Sequence, residues 1–328
     1  MLGSMGEFEL IARYFQRPVR RALLGVGDDC ALLQPRPGTA LAISCDMLVA
    51  GRHFLEDVPP LHLGHKALAV NLSDLAACGA RPLAFTLALS LPQIDEVWLN
   101  DFSKGLLQLA DAHDCELIGG DTTAGPLNIC ITVFGEVEGH ALLRSGAQPG
   151  DDLYVSGHLG DARLALQALL GQRALPADLL AKARLRLERP DPRVALGLAL
   201  RGLASAAIDL SDGLVGDLGH VLKASGVGAS LQTQALGGLL QASAHPQWPQ
   251  GGGQIQVLEE VLSGGDDYEL LFTAPPLHRQ AIHIAALRSH TPVTCIGRID
   301  AEVGLRLVDA QGHVSIPSQT SFDHFKAG

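Results

Sequence analysis

The stretch Asn128-Ile129-Cys130-Ile131-Thr132-Val133-Phe134-Gly135-Glu136-Val137 decides the fold class. Ile129, Ile131 and Val133 alternate with Cys130, Thr132 and Phe134, a period of two that marks a β-strand. Both faces of that strand are partly apolar, which predicts a sheet covered on both sides. Working outward, residues 41–45, 83–91 and 117–118 read as further strands. Residues 7–17, 63–78 and 97–113 carry apolar residues at helical spacing. A turn cluster at 145–152, with Gly146, Pro149 and Gly150, is the best boundary between domains. It divides the chain into 1–145 and 146–328. Beyond it, strands are expected at 153–156, 206–210, 229–232, 268–273, 293–299 and 305–308. Helices are expected within 161–203 and at 214–225 and 277–289, with a Pro/Gly/Gln loop at 244–253. Strands and helices mix throughout, so the class is α/β (α+β).

Composition narrows the function. Of 328 residues, 47% are hydrophobic and 18% charged, enough apolar material for a sizeable core. The 35 acidic residues outnumber the 24 basic ones, giving a formal net charge of −11. Such a chain is a poor partner for nucleic acid or an anionic membrane. No apolar run reaches the roughly 18 residues that span a bilayer. Glu7 and Glu9 interrupt the N-terminal segment, so no signal peptide is expected. The six cysteines are scattered without a C-x-x-C pair, which argues against a zinc site or a disulfide framework. A reducing cytoplasm is the expected compartment.

The aspartates sit in small-residue turns: Gly27-Asp28-Asp29, Cys45-Asp46, Gly119-Gly120-Asp121-Thr122-Thr123, Asp209-Leu210-Ser211-Asp212-Gly213 and Gly264-Gly265-Asp266-Asp267. Asn71-Leu72-Ser73-Asp74 adds one more on a helix. Any single such turn is explained by turn chemistry, and Asp212 by helix capping. Together, with little basic compensation, they predict carboxylates that converge and require hard divalent cations, as in a Mg²⁺–polyphosphate site. Asp74 shares its helix face with Leu63, Ala67, Val70 and Cys78, so it is either metal-bound or satisfied by a hydrogen bond. The paired glycines let backbone N–H groups approach an anion. Arg144 is a candidate phosphate clamp or a plain surface arginine. His53 is a candidate substrate contact or a structural histidine. Phe322 either stacks on a ring or is buried. P-loop, dinucleotide-fingerprint, H-E-x-x-H and G-x-S-x-G motifs are all absent from the sequence.

With these motifs in hand, the chain resembles the thiamine-monophosphate kinase family of the aminoimidazole ribonucleotide synthetase superfamily. The resemblance runs from Gly6-Glu7-Phe8 to Phe322-Asp323-His324-Phe325 and rests together on the motifs at 25–31, 69–76, 119–123, 208–214 and 263–270 and on Leu48-Val49-Ala50-Gly51 with His53-Phe54. It implies a two-domain fold: an N-terminal ATP- and metal-binding domain that pairs into a barrel in a homodimer, and a C-terminal α/β domain that completes the substrate site. It implies Mg²⁺- and ATP-dependent phosphorylation of thiamine monophosphate to thiamine diphosphate, with no dedicated catalytic base. By matching position, Asp28, Ser44, Asp46, Asp74, Asp121, Asp209 and Asp212 would hold several Mg²⁺ ions, with Cys45 contributing main-chain oxygen. Gly120, Asp121, Arg144 and Ser211 would contact ATP; His53, Asp266 and Phe322 would contact thiamine monophosphate. The chain departs from the family at Cys45 (commonly Thr), Ala124 (often Arg), Asp266 (commonly Glu) and Phe322 (commonly Tyr or Trp). A superfamily synthetase acting on formylglycinamidine ribonucleotide and a non-catalytic nucleotide-binding module are the alternatives.

Overall fold

The computed structural model describes residues 6–248 and 253–317. The described chain divides into two compact units. The first runs to Leu75 and from Ala80 to His140; the second comprises Ala76–Gly79 and the chain from Ala141 onward. The mixed α/β class is as expected.

In the first unit the chain forms α1 (Glu7–Tyr14), β1 (Thr39–Val49), α2 (Pro60–Ala77), β2 (Arg81–Leu91), α3 (Glu96–Ala112), β3 (Glu116–Ala124) and β4 (Asn128–Glu138). The four strands lie in the order β1-β4-β2-β3. β4 pairs antiparallel with both β1 and β2, and β2 pairs parallel with β3. Alternation along β4 puts Ile129, Ile131 and Val133 in the core. Leu75 of α2 packs over Gly135 on the same side. The opposite face differs from the expected fully covered sheet. Toward β1 it stays open, with Ile43 60% and Met47 53% exposed beside half-buried Phe134. Away from β1 the same face is covered, where Val19, Ala22, Ala31 and Leu33 pack with Phe134, Leu83, Ala84 and Ile118.

α2 and α3 cross at contact distance because glycine stands on each. A β-carbon on Gly64 would strike the Phe102 carbonyl, and one on Gly105 the Leu61 carbonyl. Gly105→Ala is therefore expected to destabilise the protein by about 1–3 kcal/mol, read from chemical denaturation. A wild-type midpoint in that variant would disprove the close crossing.

Glu116 ties the segment before β1 to β3. Its carboxylate accepts N–H bonds from Arg20 (2.8 Å), Arg21 (3.1 and 3.2 Å) and Ala22 (3.2 Å). Burial works to raise its pKa, but the three N–H groups and the Arg21 charge outweigh burial and hold it below the ordinary value. A depressed folded-state pKa contributes stability that is fully present above the unfolded value of about 4.3 and is lost as pH falls through the folded one. Glu116→Gln should thus flatten the acid side of the stability–pH curve. An unchanged acid limb would rule this account out.

The second unit contains β5 (Asp152–Ser156), α4 (Asp161–Leu169), α5 (Ala177–Glu188), α6 (Val194–Leu200), β6 (Ala206–Leu210), α7 (Leu214–Ser225), β7 (Gly228–Gln232) and α8 (Thr233–Gly237). It continues through α9 (Gly253–Ser263), β8 (Glu269–Ala274), α10 (Arg279–Arg288), β9 (Val293–Asp300), β10 (Gly304–Val308) and β11 (Val314–Ser315). Seven strands form one sheet in the order β11-β10-β7-β9-β5-β8-β6. Only β7 and β10 pair parallel; the other neighbours are antiparallel. Leu153, Val155, Ile208, Leu218, Val221 and Ile296 are among the residues of its aliphatic core. α8 and α9 were not expected from sequence. α9 begins at Gly253, the last residue of the stretch read as a Pro/Gly/Gln loop.

Candidate active site

β1 and α2 build the best-defined part of the site. Ser44 and Asp46 alternate onto the side of β1 that meets α2, and there the Ser44 hydroxyl donates to the Asp74 carboxylate. One turn earlier on α2, the Asn71 side-chain oxygen accepts the Asp46 backbone N–H at 3.1 Å, while its amide donates to the Ala67 carbonyl at 3.0 Å. β1 is an edge strand, so its outward N–H needs such a partner. The Asn71-x-x-Asp74 spacing therefore has a mechanical reading: Asn71 holds the strand in place and Asp74 faces it. Sequence reasoning quoted Asn71 in a motif but gave it no role. The Cys45 side chain alternates to the other side, where its sulfur lies 3.4 Å from that of Cys130. Only its main chain shares the Ser44–Asp46 side.

Two turns expected at strand ends are strand interior. β1 continues past Asp46 to Val49 because Leu48 and Val49 pair with Ile129 and Asn128. β3 runs through Gly119–Thr123 because pairing with β2 extends to Leu91 and Ala124. Gly120 has φ +147°, and a β-carbon there would meet the Leu87 carbonyl, so only glycine lets β2 approach this closely. One row across the sheet reads Asp46, Ile131, Leu87, Gly120. Three strand spacings put Asp46 and Gly120 about 14 Å apart. Asp121, exposed, lies in the next row with Ala88, Cys130 and Met47. A small pocket beside Gly120 and Asp121 is walled by Ile11, Phe15, Val26, Leu87 and Leu117. Val26, which lines that pocket, bridges to Asp28. In the first unit Asp46 and Asp74 lie where β1 meets α2, and Asp121 lies on β3. Among the described residues, no three His, Cys, Asp or Glu side chains stand close enough to hold a metal.

His53 follows β1 in a tight turn. Its N–H donates to the Val49 carbonyl (3.0 Å), and its ring Nδ1 accepts the Val49 N–H (3.0 Å). That acceptor role places the proton of the neutral ring on Nε2. Buried Lys66 of α2 donates to the His53 carbonyl at 3.4 Å.

In the second unit two loops are joined backbone to backbone. The Ser211 carbonyl accepts from Asp266 N–H (2.9 Å), and the Leu210 carbonyl from Tyr268 N–H (2.8 Å). Asp209, Ser211, Asp212 and Asp266 are thereby brought together. Asp266 has φ +64°, and the Tyr268 hydroxyl reaches its carboxylate at 3.3 Å. Asp217 of α7, missed by sequence reasoning, accepts N–H bonds from Asp212 and Gly213 at 3.1 Å each. Burial, with Asp212's charge, pushes its carboxyl up to about 7 against those N–H bonds. The acidic residue in the helix's first turn was the available signal. Arg144 is exposed and not among these residues. The bond from Ala207 N–H to the Leu143 carbonyl (2.9 Å) sets it beside the start of β6, about 13 Å along the strand from Ser211. Phe322 lies outside the described residues.

Comparison with known proteins decides the family. Residues 27–137 match the N-terminal domain of AIR synthase related protein, and residues 148–310 match its C-terminal domain. The chain is 49% identical to thiamine-monophosphate kinase of Escherichia coli K12 over 331 residues, covering 98% of this chain and 99% of that protein. The chain belongs to the thiamine-monophosphate kinase family. Its fold matches the crystal structure of thiamine-monophosphate kinase from Stenotrophomonas maltophilia K279a at TM-score 0.80 and 45% identity, covering 92% and 94% of the two chains. It also matches AaThiL complexed with AMPPCP and TMP at TM-score 0.75 and 28% identity, covering 89% of each. In the family's terms, the motifs that carried the resemblance are the strands and loops described above.

Proposed function

We propose that this protein transfers the γ-phosphoryl group of ATP to the phosphate of thiamine monophosphate, giving thiamine diphosphate and ADP. The observation that carries the reading is near-full-length identity of 49% to a thiamine-monophosphate kinase. A structural relative complexed with AMPPCP and TMP supports the same pair of substrates.

The donor set at β1 and α2 suits magnesium: carboxylates of Asp46 and Asp74 and the Ser44 hydroxyl are all hard oxygen ligands. Asp28, Asp121, Asp209, Asp212 and the Cys45 carbonyl complete the proposed metal set, and Gly120, Asp121, Arg144 and Ser211 the ATP contacts. Bound Mg²⁺ would neutralise phosphate charge and align donor with acceptor. The acceptor phosphate is already largely ionised near neutral pH, so the chain needs no general base. His53, whose Nδ1 accepts the Val49 N–H, is a proposed contact to thiamine monophosphate. Asp266 and Phe322 are the other proposed substrate contacts.

A second copy of this chain is the proposed cover for the open apolar face of β1 and β4, giving a homodimer. Among the described residues no helix is long and apolar enough to cross a membrane. The cytoplasm is the proposed compartment.

The test is direct. Incubation with ATP, Mg²⁺ and thiamine monophosphate should yield thiamine diphosphate and ADP in equal amounts, separated by chromatography. ADP released without thiamine diphosphate, or released only with formylglycinamidine ribonucleotide, would reject the reading.

A further inference from the structure

Asp217 sits in the first turn of α7 and is 3% exposed. One carboxylate oxygen, Oδ2, accepts both the Asp212 and the Gly213 N–H at 3.1 Å. The carbonyls of the same loop are already taken: Leu210 by Tyr268 N–H and Ser211 by Asp266 N–H. The segment 210–213 is therefore gripped from two sides, by its carbonyls on one and by Asp217 on the other. A helix N-terminus ordinarily offers its first N–H groups to an anion. Here an internal carboxylate takes the N–H groups of Asp212 and Gly213, which lead into the first turn of α7. The side chains this loop carries are the Ser211 hydroxyl and the Asp212 carboxylate.

We propose that Asp217 is a positioning residue that fixes the Ser211–Gly213 backbone so that Ser211 and Asp212 meet nucleotide and its metal in the right geometry. This rests on the assignment of Ser211 and Asp212 to Mg–ATP made under the proposed function. The role is carried by hydrogen-bond acceptance at one point in space and does not require Asp217 to touch substrate. Asp217→Asn keeps an oxygen able to accept both N–H bonds. Asp217→Ala removes it, and Asp217→Glu displaces it by one methylene.

Steady-state kinetics of the full chain with Mg–ATP and thiamine monophosphate separates the outcomes. Loss of two buried acceptor bonds should raise KM for Mg–ATP at least about tenfold in Asp217→Ala, with KM for thiamine monophosphate unchanged. Asp217→Asn should return within about threefold of wild type. A folded Asp217→Ala with wild-type KM for Mg–ATP and only a lowered melting temperature overturns the proposal. So does an Asp217→Asn as impaired as Asp217→Ala. Should Asp217→Ala fail to fold, Asp217→Glu decides: a raised KM for Mg–ATP supports positioning, and an unchanged one refutes it. Asp212→Asn is measured in parallel. If it leaves Mg–ATP kinetics unchanged, the assignment of the loop to nucleotide has failed, and the proposal with it. If Asp212→Asn is impaired while Asp217→Ala is not, positioning alone has failed.

Discussion

Exchanging Asp74 for asparagine is expected to lower kcat by about 10²–10³-fold, the scale seen when one preorganised electrostatic contact to a developing charge is removed. Asparagine keeps the shape of the side chain and an oxygen that can accept the Ser44 hydroxyl. What it removes is the negative charge that faces β1 beside Asp46. Asp74 shares its helix face with apolar Leu63, Ala67 and Val70, so its charge has a use there or is a liability. Ser44→Ala should be milder, because the charge remains and only its orienting bond is lost. The measurement is steady-state turnover at saturating Mg²⁺ and both substrates, with melting temperature as the folding control. Wild-type kcat in a folded Asp74→Asn protein would remove this carboxylate from the mechanism.

The largest stability effect is expected at Glu269. This carboxylate, fully buried at the start of β8, accepts from Arg193 twice at 2.6 Å, from Arg186 at 2.8 Å and from the Ser156 hydroxyl at 2.6 Å. Two arginines share one buried anion, so Glu269→Gln leaves two cations facing a neutral amide. Breaking a buried ion pair from one side costs about 3–5 kcal/mol. Equilibrium unfolding in urea should show that loss, and the melting temperature should fall by roughly 10 °C. Because Glu269 immediately follows the loop that carries Asp266 and Tyr268, residual activity of the folded fraction should also show a raised KM for thiamine monophosphate. A variant within about 1 kcal/mol of wild type would mean the arginines find other partners, and the network account would fail.

Much of the architecture was legible because the apolar periods are clean. The alternation in 128–137 gave β4, and helical spacing gave α2, α3 and α7 within a few residues of their observed ends. Strand ends were harder. Gly119-Gly120 reads as a turn by local propensity, yet pairing with β2 holds it in β3. Asp46 reads as a strand end, yet β4 carries β1 three residues further. Local preference is worth little once a neighbouring strand supplies hydrogen bonds. The expected double covering of the first sheet was met only away from β1 within this chain, because periodicity reports which faces are apolar and not what lies over them.

By itself the sequence determined the family, through six motifs in order, five of them acidic, and the residue types that chemistry on phosphates requires. It also fixed the acidic charge balance that makes cations necessary. Only the tertiary structure decided which of those residues meet. Ser44 and Asp74 are thirty positions apart in the chain and in contact, because β1 and α2 face each other. Asp46 and Gly120 share one row of the same sheet and stand at its two edges. The physical reason is that spacing along a chain sets the direction of a side chain within its own element. Distances between elements are set by strand order and helix packing, which no local pattern records.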